Sequence, residues 1–210
     1  MNKTLLFALA ALACAACAGP ERSRNLNDPT VPAVAMAQQV CSNCHGIDGN
    51  SVSPNFPRLA AQPQPYLLEQ LKAFRGHGRS DPAGFEYMWG LSRSLTDAQV
   101  EGLANYFSSQ QPAPNPAHSD PVLVARGKAL FEEGNPGKNL PACKVCHGDR
   151  AQGNATFPRL AAQHADYLVK QLGVFQRTDQ RPEGAVMKTI AHLLDENDIR
   201  AVAAYLQGAG

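Results

Sequence analysis

The stretch Cys41-Ser42-Asn43-Cys44-His45-Gly46 governs the reading of this chain, because the same pattern returns as Cys143-Lys144-Val145-Cys146-His147-Gly148, 102 residues later. The block from Phe56 to Gln62 (FPRLAAQ) recurs without change from Phe157 to Gln163, at an offset of 101. Tyr66, Gln70, Leu71 and Phe74 recur as Tyr167, Gln171, Leu172 and Phe175 at that same offset. Met88, Leu95 and Tyr106 recur as Met187, Leu194 and Tyr205, offset 99. Order is kept and only small indels intervene. Two copies of this length are tandem domains, since a solenoid needs more repeats to bury its core. The expected organisation is a first domain at 33–110, a Pro-rich linker at 111–119 and a second domain at 120–210.

Secondary structure reads as helices joined by long loops, with no sustained alternation that would support a sheet. A helix from Ala33 to Gln39 runs toward the first cysteine pair. Its counterpart starts at Asp120-Pro121, an N-cap followed by Pro at the first helical position, and stops at Gly134. Tyr66 to Phe74 forms another, ended by Gly76. Thr96-Asp97-Ala98-Gln99 has the spacing of a capping box, and Asp195 opens the matching helix of the second copy.

C-x-x-C-H is the attachment signature of a c-type haem. Two thiols one helical turn apart add to the two haem vinyl groups, and the histidine that follows lies against the ring face to ligate iron. Cys41, Cys44, Cys143 and Cys146 are the expected covalent attachments of two haem c groups, with His45 and His147 as iron ligands. Three other readings compete. A thioredoxin-like redox pair needs strand–helix alternation, which is missing. A zinc shared by the pairs must span about a hundred residues and two separate repeats. A plain disulfide leaves both histidines unexplained.

A second axial ligand follows by elimination among four methionines. Met1 lies in the leader, and Met36 is too near Cys41 to fold over the opposite face. Met88 and Met187 remain, aligned between copies. The histidines His77, His118, His164 and His192 have no aligned partner histidine and are expected to be surface or loop residues. A ligating histidine normally gives its other N–H to an acceptor, and a carbonyl at Pro57 or Pro158 could serve. Arg58 and Arg159 suit haem propionates, and an exposed, solvated role is the alternative. Tyr106 and Tyr205 are expected to pack against the haem edge or, failing that, the helix–helix core. Trp89, facing Lys188 in the repeat, reads as local packing. Haem also answers a size problem: a 90-residue, loop-rich unit has a thin core, so the apo-protein is not expected to fold.

Composition narrows the class. The formal net charge is +1 across 210 residues, too flat for a nucleic-acid partner or a polybasic membrane contact. Of six cysteines, the remaining two, Cys14 and Cys17, lie in a leader with Lys3, an apolar run and small residues to Ala18. Residues 1–18 therefore read as a secretory signal, too short to span a bilayer, and 19–32 as a flexible lead-in. Cleavage after Ala18 gives a soluble periplasmic chain. A lipoprotein signal with Cys17 acylated is the alternative, although Cys14 stands where Leu is usual.

On these motifs the chain resembles the cytochrome c4 family, dihaem class I c-type cytochromes, over about residues 33–208. The family commonly has Gly where Ala61 and Ala162 stand here. The resemblance implies an all-α fold of two cytochrome c-like domains related by a pseudo-twofold axis. It implies respiratory electron transfer between a quinol–cytochrome c reductase and a terminal oxidase, without enzymatic activity. Two alternatives stay open: a dedicated cytochrome subunit of a dehydrogenase or oxidase complex, and a dihaem peroxidase, which needs one open iron site.

Overall fold

A computed structural model describes residues 24–82, 84–116 and 120–210. The leader, with Cys14 and Cys17, and His118 lie outside the described residues. The described part is helical, with two isolated bridges and no strand.

In the first half α1 (Ala33–Met36) continues through a π-helical turn, Ala37–Cys41, into α2 (Ser42–His45). Helix α3 spans Gln64–Arg75. A π-helical turn at Gly84–Met88 leads into α4 (Trp89–Ser92), and α5 spans Asp97–Ser108. The second half repeats the order with α6 (Pro121–Glu133), α7 (Lys144–His147), α8 (Ala165–Arg177), α9 (Ala185–Ala191) and α10 (Glu196–Gly208).

Local chemistry sets the ends of these helices. The Thr96 hydroxyl accepts from Gln99 N–H while the Gln99 side chain accepts from Thr96 N–H, closing the expected capping box of α5. Asp195 and Asp198 form the equivalent box on α10. Asp120 caps α6 through Val122 N–H, with Pro121 at its first position.

The terminal helices of each half cross so closely that one member must lack a side chain. A Cβ on Gly102 of α5 would lie 2.5 Å from the Ala33 Cβ, and one on Gly127 of α6 would lie 1.9 Å from the Ala201 carbonyl. Ala201 is the repeat partner of Gly102, so the glycine has changed helix while the crossing is kept. Around the first crossing a core of Met36, Val100, Leu103 and Phe107 is buried; around the second, Phe131, Leu168, Val202 and Leu206. Met36 is fully buried here.

Reciprocal contacts join the halves about a pseudo-twofold axis. Gln163 accepts from Arg58 N–H and donates to Arg58 O, while Gln62 accepts from Arg159 N–H and donates to Arg159 O. Deeper in, Arg79 donates to Gln70 and Gln171, and Arg181 donates to the same two amide oxygens. Each guanidinium lies over a ring of its own half, Arg79 over Phe74 and Arg181 over Phe175. Asp81, fully buried, neutralises Arg79 at 2.7 Å, and Glu183 does the same for Arg181 at 3.0 Å.

The segment expected to be a spacer packs on both halves. Asn50 Nδ2 donates to Gln111 O, Ala113 N–H donates to Asn50 Oδ1, and Asn115 donates to Ala162 O. Among the described residues no helix is long and apolar enough to cross a membrane.

Candidate functional site

Each C-x-x-C-H motif is carried on a single helical turn. Cys41 ends the π-helical turn and Ser42–His45 completes it; Cys143 precedes Lys144–His147. Gly46 and Gly148, with φ of 79° and 83°, let the chain turn away directly after the histidine. The four cysteines are partly exposed and form no disulfide with one another. Burial pushes the Cys41 and Cys143 thiols up to about 11, the opposite of the depressed value that a redox-active thiol pair requires. Among the described residues no three His, Cys, Asp or Glu side chains converge as a metal-binding group.

His45 and His147 are buried, and the Nδ1 of each lies 2.9 Å from a proline carbonyl, Pro57 and Pro158 respectively. A carbonyl only accepts, so Nδ1 carries the proton and Nε2 keeps its lone pair. Burial lowers the pKa of both imidazoles against the pull of those carbonyls, which keeps the rings neutral near pH 7. Phe56 stands edge-on to His45 and Phe157 edge-on to His147, with centroids 6.3 Å and 6.2 Å apart. Tyr87 meets Phe56 edge-on in turn.

Met88 closes the π-helical turn Gly84–Met88, and Met187 lies within α9; both are partly exposed. Arg58 donates to Ala162 O across the interface and to Asn50 Oδ1 within its own half, so both guanidinium tips are engaged. The Nε atoms of Arg58 and Arg159 are buried and, among the described residues, lack any hydrogen-bond partner. A buried unpaired N–H is costly, and an orphan repeated at equivalent positions of both halves fits an anionic group such as a haem propionate. Tyr106 donates to Ile47 O, just beyond the first motif, and Tyr205 packs against Phe131 at 5.6 Å. Trp89 stacks on His77 at 5.2 Å and has Arg93 over its ring.

Sequence reasoning missed the polar residues of the interface. Gln62, Gln70 and Arg79 all have repeat partners, in Gln163, Gln171 and Arg181, and that duplication of buried-type amides was the available signal. His164 stands in the loop that caps α8, within the expectation of a surface or loop residue, but it is buried between the halves and not on the surface.

Two helical units, each presenting a C-x-x-C-H turn with its histidine held by a proline carbonyl, define a c-type cytochrome with two haem-binding halves. A family model for cytochrome c matches residues 32–111 and 124–210. The cytochrome c4 of Pseudomonas aeruginosa is 42% identical over 173 residues, covering 80% of this chain and 83% of that protein. The crystal structure of reduced recombinant cytochrome c4 from Pseudomonas stutzeri superposes with a TM-score of 0.77 at 38% identity, covering 87% of this chain and 99% of that one. A thiosulfate dehydrogenase electron acceptor from Thiomonas intermedia is 33% identical over 170 residues, 79% of this chain and 76% of that protein. The chain belongs to the cytochrome c family and, within it, to the dihaem cytochromes c4. It is accordingly an electron-transfer cytochrome with two haem c groups.

Proposed function

We propose that this protein is a periplasmic carrier passing electrons from a quinol–cytochrome c reductase to a terminal oxidase, with no catalytic activity of its own. The observation that carries the reading is the equivalence of the two sites: each half supplies one buried, neutral histidine with a free Nε2 and one partly exposed methionine. In this reading Cys41, Cys44, Cys143 and Cys146 hold the haems, and His45 with Met88 and His147 with Met187 are the axial pairs. Pro57 and Pro158 orient the imidazoles, Arg58 and Arg159 neutralise propionates through their unpaired Nε, and Tyr106 and Tyr205 pack beside the rings. The halves lie at 33–110 and 120–210, and the leader 1–18 directs export.

The bound haem supplies reversible one-electron iron chemistry. The chain's part would be to hold His45 and Met88, and His147 and Met187, in place as the donors to each iron. The proline carbonyls do this on one face by locking tautomer and ring angle. Closed coordination leaves no open position for a substrate, which disfavours the peroxidase reading. A dedicated subunit role is the second reading, favoured by the likeness to a thiosulfate dehydrogenase electron acceptor.

Haem quantitation with a redox titration tests the proposal. Two haems per chain, two one-electron waves and no rapid complex with carbon monoxide or cyanide are expected. One haem per chain, or rapid high-spin complexes, would overturn it. Oxidation by a membrane oxidase against tight co-purification with a dehydrogenase at high salt separates carrier from subunit. Mass spectrometry of the mature N-terminus distinguishes cleavage after Ala18 from acylation at Cys17.

A further inference from the structure

One buried contact across the interface is made from one half alone. His164, N-cap of α8 in the second half, reaches across the interface to Ser51 in the loop that follows the first C-x-x-C-H turn. Its Nε2 lies 2.9 Å from Ser51 O and 3.0 Å from Ser51 Oγ. The Ser51 hydroxyl spends its one proton on Phe56 O at 2.6 Å, so Nε2 is the donor in both contacts. On the other side of the ring, Asn115 of the interdomain segment offers its amide N–H to Nδ1 at 3.4 Å while also donating to Ala162 O. The tautomer is thereby set, and the imidazole is neutral. Phe56 precedes Pro57, whose carbonyl holds His45 Nδ1. A continuous path thus runs from His164 through Ser51 and Phe56 to the acceptor of the first histidine. The second half has no equivalent, because Pro63 stands where His164 does in the repeat, and Gly153 stands where Ser51 does.

We infer that His164 is a positioning residue for the first haem: from the second half, it braces the loop that orients His45. The inference rests on the assignment of His45 as an axial ligand. It makes the first site dependent on the second half and leaves the second site independent of the first in this respect. It also makes the first site responsive to acid. Burial, and after it the neighbouring Arg58, lower the pKa of His164, while the Ser51 carbonyl and Asp166 pull it up. Among the described residues the charged groups facing it are Arg58 on the first-half loop and Asp166 on its own helix; the linker residues 112–116 bring none. A second proton at Nδ1 would face the Asn115 amide, donor against donor. Turning that amide would set its oxygen against Ala162 O. Protonation therefore adds a positive charge beside the first-half loop and loosens the brace.

The test is a spectroelectrochemical titration of both haems against pH in the holoprotein, in wild type, His164→Ala and His164→Gln. Met88→His in the same backgrounds marks which wave is the first haem. In wild type the first midpoint should rise as pH falls on the acid side of neutrality, because added positive charge favours ferrous iron. In His164→Ala that midpoint should shift and its pH dependence should be lost. In His164→Gln, whose amide N–H can still donate to Ser51 O, the midpoint should stay near wild type with the pH dependence lost. The second midpoint should be unmoved throughout. Unaltered midpoints and pH profiles in both variants, or equal movement of both haems, would overturn the inference. Should His164→Ala fail to fold, His164→Gln alone carries the test through the lost pH dependence. A wild type with fewer than two haems sinks the functional reading itself; two normal haems indifferent to position 164 sink only this inference.

Discussion

At the scale of single residues, the axial methionines carry the sharpest expectation. A thioether favours ferrous iron, so His–Met ligation sits at a higher potential than bis-His. Met88→His should lower one of the two midpoints and leave the other in place, read by redox titration; unchanged midpoints would remove Met88 from the coordination sphere. Ala61 and Ala162 make a different point. Their φ angles are 55° and 59°, the left-handed region where a Cβ costs about 1–2 kcal/mol. Glycine, with no Cβ, would occupy this region without that cost. Both amides are engaged, Ala61 N–H with Phe107 O and Ala162 N–H with Leu206 O, so the conformation is fixed by the last helix of each half. Ala162→Gly should relieve that strain, less the roughly 0.4–1 kcal/mol that glycine adds to unfolded-chain entropy. A gain of about 0.5–1 kcal/mol in denaturant unfolding is the expected result.

Elements were the most legible level. The capping boxes at Thr96 and Asp195, the Asp120-Pro121 start and the Gly134 stop are local signals, and the helices begin and end where those residues stand. The short helices after the distal loops, Trp89–Ser92 and Ala185–Ala191, carried no such signal and were not foreseen, because a helix of one or two turns is stabilised by what it packs on. Charge at an element end gives a pH prediction. Lys138 and the Asp198 amide hold the Asp195 carboxyl down to about 2. Asp198, although burial alone would raise it, is held below the usual carboxylate range by Lys138 and Arg126. Carboxylates with depressed folded pKa values stabilise the fold above their unfolded pKa, and that contribution disappears as pH falls through the folded one. Acid unfolding followed by circular dichroism should show stability lost progressively between about pH 4 and 2, with Asp198→Asn flattening that slope. Thr96→Ala should cost about 1 kcal/mol by loss of its cap.

For the whole molecule, the interface sets the energetics. Arg79→Gln would strip the buried Asp81 carboxylate of its cation, and breaking one side of a buried pair costs about 3–5 kcal/mol. Calorimetry of that variant should show a lowered transition, and splitting into two transitions would mark the halves as separately melting units. The porphyrin supplies apolar mass that each thin core lacks, so apo-protein is expected to give no cooperative melt; a native-like apo transition would contradict this. By itself the sequence determined what is local or duplicated: the two C-x-x-C-H turns, the helix caps, the aligned methionines and the tandem organisation. Each of these is written in adjacent residues or in a fixed offset. Which residues make the interface was set by folding, not by any local signal. Gln62 meets Arg159, Arg79 meets Gln171 and His164 meets Ser51, across roughly a hundred residues of chain. A polar side chain carries no local mark of a partner that distant. Its burial becomes affordable only when folding brings the matching donor or acceptor to it.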